Sequence, residues 1–316
     1  MRAVQFSQYG PPGVMHVAEV EEPHAGPGTI RVAVRASGLS VGETLVRSGA
    51  LRDVVPTTLP YRTGFDAAGV VDEVGAGVTG VSAGDAVFGM TGTITRGANA
   101  EYAVLTAWAP RPAGWSWEEA GGAAGSVETG TRVLDRLGVG AGHTVLVQGA
   151  TGGVGAVAVQ LAVARGATVI GTAGEHNHDL LRSLGARPTT YGPGLVERVR
   201  ALAPGGVDAV FDCARGALPD LIAVAGDPGR VVTIADFAAA SHGVHLSHSA
   251  PADDSGTTAG ASADALAVHG LGIATGLAAQ GRLRVPVAAV FPFAEAAAAH
   301  ELAGRHHAPG KIVLVP

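Results

Sequence analysis

The sequence predicts an α/β protein built from a small β-barrel and a doubly wound parallel sheet. Two observations carry that prediction. Before about residue 118 the chain is a series of short β-like runs broken by glycine and proline, and after it strands alternate with helices. Between one such strand and helix lies Gly149-Ala150-Thr151-Gly152-Gly153-Val154-Gly155, a glycine-rich turn. The bulk numbers agree: 316 residues suit two domains, and 47% hydrophobic residues supply a core for each.

In the first part, Ile30 to Ala36 alternates as a half-buried strand should, and Ala68 to Gly75 forms a second strand ending at a turn. Gly84-Asp85 is a turn before a third strand over Ala86 to Gly89. Many short strands at close spacing suggest a barrel. In the second part, Thr144 to Gln148 is a β-branched strand, and Val154, Val157, Ala158, Leu161 and Ala162 fall at helical spacing. Further strands are predicted at Thr168–Thr172, Val207–Phe211 and Val231–Ile234, with a helix from Asn177 to Leu184 closed by Gly185. Ala252 to Ala265 is polar and aperiodic and reads as a loop, followed by a helix from Ala265 to Gly281. The tail returns to strand at Val285–Val290 and Ile312–Val315, around a helix from Ala294 to Leu302. The expected domains are therefore residues 1–118 completed by 256–316, and residues 119–255 between them.

Composition excludes several function classes. A net charge of -6 with no basic run argues against nucleic acid or an anionic membrane as partner. Cys213 is the single cysteine, so neither an internal disulfide nor a cysteine-based zinc site can form. Gly138 to Ala164 lacks Asp, Glu, Lys and Arg and is long enough for a membrane span. Gly149, Gly152, Gly153 and Gly155 within it, with Gln148 and Gln160, fit a strand, turn and helix better. The N-terminus lacks the apolar run of a signal peptide, and a cytoplasmic location is expected. His242, His245 and His248, spaced by three, suit no single strand face and read as surface histidines rather than a metal site.

The glycine turn has the context that makes such a motif informative: a strand before it, a helix after it, and a second strand within thirty residues. Close glycine packing lets backbone N–H groups and a helix N-terminus approach a pyrophosphate, which assigns Ala150, Gly152, Gly153, Val154 and Gly155 to a dinucleotide. The next strand ends Thr172-Ala173-Gly174 without the acid that would bind the ribose hydroxyls of NAD, which favours NADPH. His176 and Asn177 can donate to a 2′-phosphate and Tyr191 can pack beside the adenosine, while Glu175 opposes a phosphate if it points inward.

These features resemble the medium-chain dehydrogenase/reductase superfamily, and within it the zinc-independent quinone oxidoreductase branch. The resemblance covers nearly the whole chain. It rests on Met1-Arg2-Ala3-Val4, Glu43-Thr44-Leu45-Val46-Arg47-Ser48-Gly49, Gly64-Phe65-Asp66-Ala67-Ala68-Gly69-Val70-Val71, the turn at 149–155 and Gly310-Lys311-Ile312-Val313-Leu314. It implies a GroES-like barrel as catalytic domain, a Rossmann cofactor domain and a homodimer. It implies that Thr129 lies near the nicotinamide, that Cys213 and Ala214 border its ribose, and that Ile234, Ala235 and Asp236 edge the cleft. Lys311, the only lysine, matches a basic position that contacts the pyrophosphate.

Zinc-bearing members of the superfamily place ligands where this chain has Ser40, Phe65 and Gly125, and a proton relay near Gly42 and Leu45. No metal is therefore expected, and the structural-zinc lobe is absent between Phe88 and Tyr102. Quinone reductases often carry Asn in place of Ser40 and Tyr in place of Leu45, at positions that face nicotinamide or substrate. Hydride addition to an isolated ketone builds an alkoxide that needs zinc or a relay, whereas a quinone or an enone delocalises the charge. The expected reaction is hydride transfer from NADPH to a quinone or to the β-carbon of an activated enone, with Ser40 a candidate local hydroxyl. Leu45 and Phe65 suggest a hydrophobic acceptor and leave room for a biosynthetic tailoring enoyl reductase. The alternative is a non-catalytic NADPH-binding redox reader.

Overall fold

The structure, a computed structural model, describes residues 1–316 apart from 54, 56, 93–95, 250–263 and 306–307. The chain forms two compact units, one of Met1–Gly125 with Leu271–Pro316 and one of Ser126–Gly270.

The first unit opens with strands β1 (Arg2–Phe6), β2 (His16–Glu19) and β3 (Ile30–Leu39), then helix α1 (Val41–Ser48). Strands β4 (Tyr61–Arg62), β5 (Asp66–Val74), β6 (Ala86–Met90), β7 (Tyr102–Leu105) and β8 (Ala107–Pro110) follow. Ser40 starts α1 through a reciprocal capping box with Glu43, and left-handed Gly49 ends it. Helix α2 (Trp117–Gly121) begins with a second such box between Ser116 and Glu119. A Cβ on Gly121 would meet the backbone of Ala36 at 2.7 Å, so α2 lies almost backbone to backbone on β3. That contact draws the chain after residue 118 into the first unit and moves the boundary to Gly125.

In the second unit, α3 (Ala124–Arg136) leads into β9 (Thr144–Gln148), α4 (Gly153–Ala164), β10 (Thr168–Thr172) and α5 (His178–Ser183). Then come β11 (Arg187–Thr189), α6 (Leu195–Leu202), β12 (Ala209–Asp212), α7 (Leu218–Ala225), β13 (Val231–Thr233) and β14 (His245–Leu246). Their order is β11-β10-β9-β12-β13-β14, every pair parallel. The order reverses between β9 and β12, the switch point where doubly wound sheets bind ligands. Leu146, Ile170 and Val210 are buried under α6 and α7 as the core of this half.

The chain re-enters the first unit through α8 (His269–Ala279), β15 (Val287–Pro292), α9 (Ala296–Gly304) and β16 (Lys311–Val315). Among the described residues β16 joins the sheet β15-β16-β3-β5-β6-β8, to which β7 adds through β3. Re-entry comes at residue 271 rather than 256, because Asp264 pairs with His245 and Arg136 and Ala267 donates to Glu128, all in the second unit. Most of the loop expected over 252–265 lies outside the described residues. The His245 contact also corrects the surface reading of that residue: its Nε2 lies 3.0 Å from Asp264 and the ring is half-buried. Among the described residues no helix is long and apolar enough to cross a membrane.

Candidate functional site

The predicted site residues fall in both units. In the second, the turn after β9 behaves as its glycines demand. Gly149 adopts φ 71°, a conformation that a side chain disfavours. A Cβ on Gly155 would lie 2.3 Å from the Gly149 carbonyl oxygen, and one on Gly171 would lie 2.9 Å from the Ala150 methyl. Glycine is therefore needed for α4 to start tight against the turn and for β10 to pass close beside it. The N-cap of α4 is Gly152, which offers no side chain to its first N–H groups. Those donors and the positive end of a twelve-residue helix remain available to an anion.

A row of buried polar side chains crosses the carboxyl ends of β10, β9, β12 and β13. Thr172 donates to Gln148 at 2.6 Å and accepts from the Gly149 N–H at 3.0 Å. Thr233 donates to Asp212 at 2.8 Å, and the other Asp212 oxygen accepts from the Ala214 N–H at 3.0 Å. Thr233 in turn accepts from the N–H groups of Ala235 and Asp236. Asp236 accepts from the Gly216 N–H at 2.9 Å. The predicted segments 149–155, 172–174, 213–214 and 234–236 are thus linked into one rim by the predicted Thr172 and Asp236 and by Asp212 and Thr233, which the sequence reading had not singled out. Burial, with a smaller push from Asp236, raises the Asp212 carboxyl to about 6. Burial also raises the Cys213 thiol, which makes it a poor nucleophile.

At the end of β10 the His176 ring packs on Gly174, where a Cβ would come within 2.8 Å of it, and its Nε2 lies 3.1 Å from Asn177 Nδ2. Tyr191 is 57% exposed, and its carbonyl accepts from Arg198. Thr129 is half-buried on α3 and donates to Glu128 at 3.2 Å. The rim and the free helix N-terminus fit a dinucleotide pyrophosphate.

In the first unit, Glu43 ties the backbone of Ser40 to that of Gly64, the neighbour of Phe65, and Leu45 lies on the same helix α1. Glu43 is 6% exposed and accepts from the N–H of Ser40 at 2.9 Å and from that of Gly64. Burial raises its carboxyl above the usual range, opposed by those backbone bonds and by Arg96. Ser40 Oγ accepts from the Glu43 N–H at 3.4 Å, a bond that leaves the hydroxyl proton uncommitted. Ser40, Phe65 and Gly125 together offer one hydroxyl, with no thiolate and no imidazole. They do not fit a zinc ion, which takes sulfur, imidazole or carboxylate ligands.

The structure gives Lys311 a different partner from the expected pyrophosphate. Its ammonium is buried 3.1 Å from Asp66, whose second oxygen accepts from the Gly125 N–H at 2.8 Å. A buried ammonium requires such a counter-charge, which accounts for the solitary lysine within its own unit.

A strand–turn–helix dinucleotide rim at the switch point of a parallel sheet, on a chain that also carries a small β-barrel, defines a two-domain nucleotide-binding class. Comparison with known proteins narrows that class. Residues 26–113 match the alcohol dehydrogenase GroES-like domain family, and residues 184–314 match the family described as zinc-binding dehydrogenase. The chain is 33% identical over 228 residues to the chloroplast envelope quinone oxidoreductase homolog of Arabidopsis thaliana, covering 68% of this chain and 69% of that protein. It is 34% identical over 197 residues to the chloroplastic quinone-oxidoreductase QR1 of Triphysaria versicolor, covering 59% of each. It is also 36% identical over 198 residues to the spectinabilin polyketide synthase system protein NorB of Streptomyces orinoci, covering 61% of this chain and 9% of that one. The chain thus spans less than two thirds of the length of these last two relatives. Among solved structures, an NAD-dependent alcohol dehydrogenase superposes with TM-score 0.83 at 29% identity, covering both chains fully. The Escherichia coli quinone oxidoreductase complexed with NADPH superposes with TM-score 0.80 at 26% identity, again over both full chains. The chain belongs to the medium-chain dehydrogenase/reductase superfamily, in its quinone oxidoreductase-like branch.

Proposed function

We propose that the protein is a zinc-independent NADPH-dependent reductase whose acceptor is a quinone or an α,β-unsaturated carbonyl. The observation that carries this reading is the glycine turn of the second unit, where α4 starts from its N-cap Gly152 with no side chain capping its first N–H groups. The NADPH-bound quinone oxidoreductase and the polyketide synthase protein among its relatives support it. A homodimer, a hydrophobic acceptor and a cytoplasmic location belong to the same proposal.

Each group has a physical task. The N–H groups of α4 and of the Gly152–Gly155 turn bind the pyrophosphate. Asp212 and Thr233 hold the backbone at 214 and 234–236 in place beside the ribose. The His176–Asn177 edge donates to a 2′-phosphate, and no acid at Thr172–Gly174 repels it. Reduced nicotinamide supplies hydride when bound. Leu45 and Phe65 keep water from the acceptor, and the Ser40 hydroxyl donates toward the oxygen on which charge develops.

The deciding assay is NADPH consumption with a panel of quinones and cyclic enones, with NADH in parallel. Turnover with NADPH preferred is expected. Turnover with NADH alone overturns the cofactor assignment, and tight NADPH binding without any turnover favours a non-enzymatic redox reader. Replacing the imidazole donor by a permanent cation, His176→Arg, should raise NADPH affinity by about tenfold.

A further inference from the structure

Arg96 is the only non-glycine residue with a positive φ among the described residues, at 44°. A bulky side chain held in this region costs about 1–3 kcal/mol and persists only where its surroundings enforce it. Here the surroundings are specific. The backbone on either side of Arg96 is bonded to the segment that carries Phe65: Thr91 N–H donates to the Phe65 carbonyl at 2.9 Å and Ala98 N–H to the Gly64 carbonyl at 3.1 Å. A Cβ on Gly64 would lie 2.2 Å from Asn99 N, so the two segments touch backbone to backbone. The Arg96 guanidinium is thereby set over the Phe65 ring, 4.6 Å from its centroid. Its charge reaches both Glu43 and Tyr61, lowering each carboxyl or phenol against the upward push of burial. The same Glu43 holds Ser40 and Gly64 by their N–H groups.

We propose that Arg96 is a catalytic residue of the acceptor site, where its guanidinium takes the negative charge that reduction places on the acceptor oxygen. This rests on the reductase reading above and supplies what that reading lacks, a cation on the acceptor side. In the step, a bound reduced nicotinamide would give up hydride by breaking a C–H bond, and the hydride would form a C–H bond at the β-carbon of an enone or an O–H bond at one oxygen of a quinone. The cofactor is oxidised and the acceptor reduced by two electrons. The acceptor's π pair moves onto its oxygen as an enolate or hydroquinone monoanion, beside Arg96. The guanidinium acts as a fixed charge and gives up no proton, and solvent protonates the product. A fixed cation in a water-poor site is worth far more than one in water. The substrate class implied is a carbonyl acceptor whose oxygen, rather than an apolar edge, faces Phe65.

The test pairs turnover with a readout that needs none. Arg96→Gly removes the guanidinium and relieves the backbone strain, so folding is preserved, and Arg96→Lys keeps the charge. The NADP⁺-loaded protein is titrated with 4-nitrophenol, whose phenolate mimics the charged product and reports its own ionisation by absorbance. Wild type should lower the pKa of the bound phenol, Arg96→Lys should retain part of the shift, and Arg96→Gly should lose it. In turnover, Arg96→Gly should lose about 100-fold in kcat with NADPH affinity unchanged. Equal phenolate binding by wild type and Arg96→Gly, or no phenolate binding by either, overturns the proposal, as does unchanged kcat. Failure of wild type to bind NADPH would instead sink the reductase reading, which separates the two failures.

Discussion

Asp212→Asn tests whether the polar row beneath the cofactor rim carries a buried charge. The wild-type carboxyl is fully buried, and its pKa is raised from 3.8 to about 6 by burial first and by Asp236 last. That difference of roughly 2 pH units corresponds to about 3 kcal/mol. Because the folded value is the higher one, the associated stability is fully present below about pH 4 and is lost as pH rises through about 6. Asparagine removes the charge but cannot accept both the Thr233 hydroxyl and the Ala214 N–H as the carboxylate does, a cost of about 1 kcal/mol. The variant should therefore be more stable than wild type by about 2 kcal/mol at pH 8 and less stable by about 1 kcal/mol at pH 4. Urea unfolding followed by far-UV circular dichroism across that range measures the difference. Trp108, Trp115 and Trp117 all lie in the first unit, so tryptophan fluorescence identifies its transition and leaves the remainder to the second. Parallel stability curves for wild type and variant, with no crossing, would refute the buried-charge argument.

His300 titrates in the opposite sense. It is fully buried, and burial, helped by Arg47, lowers its imidazole from 6.5 to about 4. Its contribution is present above about pH 6.5 and lost as pH falls toward 4, a swing of roughly 3 kcal/mol, and His300→Met should abolish this pH dependence of the fluorescence-detected transition. Gly155→Ala drives a methyl into the Gly149 carbonyl and should cost about 1–3 kcal/mol together with NADPH binding by calorimetry. Gly152→Ala meets no protein atom closer than 3.4 Å and should retain stability, while its methyl on the pyrophosphate side should weaken NADPH binding alone. Lys311→Met leaves Asp66 charged and buried and should cost about 3–5 kcal/mol in urea unfolding. Adding Asp66→Asn to it should recover most of that loss.

Much of the fold was legible because its signals are local. β9 and β10 occupy the strands expected from their β-branched runs, residue for residue, and α4 starts one residue after the predicted Gly152. The glycine turn was legible for the same reason, since a tight turn prints its requirement for glycine directly into the chain. What was not legible depends on partners far apart in sequence. Lys311 carries no sign that its counter-charge is Asp66, 245 positions earlier. Asp212 and Thr233 sit at the ends of ordinary strands, and only parallel pairing in register makes them neighbours. Arg96 is an isolated arginine before a glycine, and nothing in its neighbourhood marks it as strained. Its φ and its place over Phe65 come from backbone bonds between the segments around residues 64 and 98. The same reasoning explains why residue types alone left the acceptor side without a cation: the position that supplies one lies in a barrel loop, outside the motifs that identify the family. Specificity among relatives sharing the rim is then expected to vary at such loop positions, where a side chain can change without disturbing the strands that hold the cofactor.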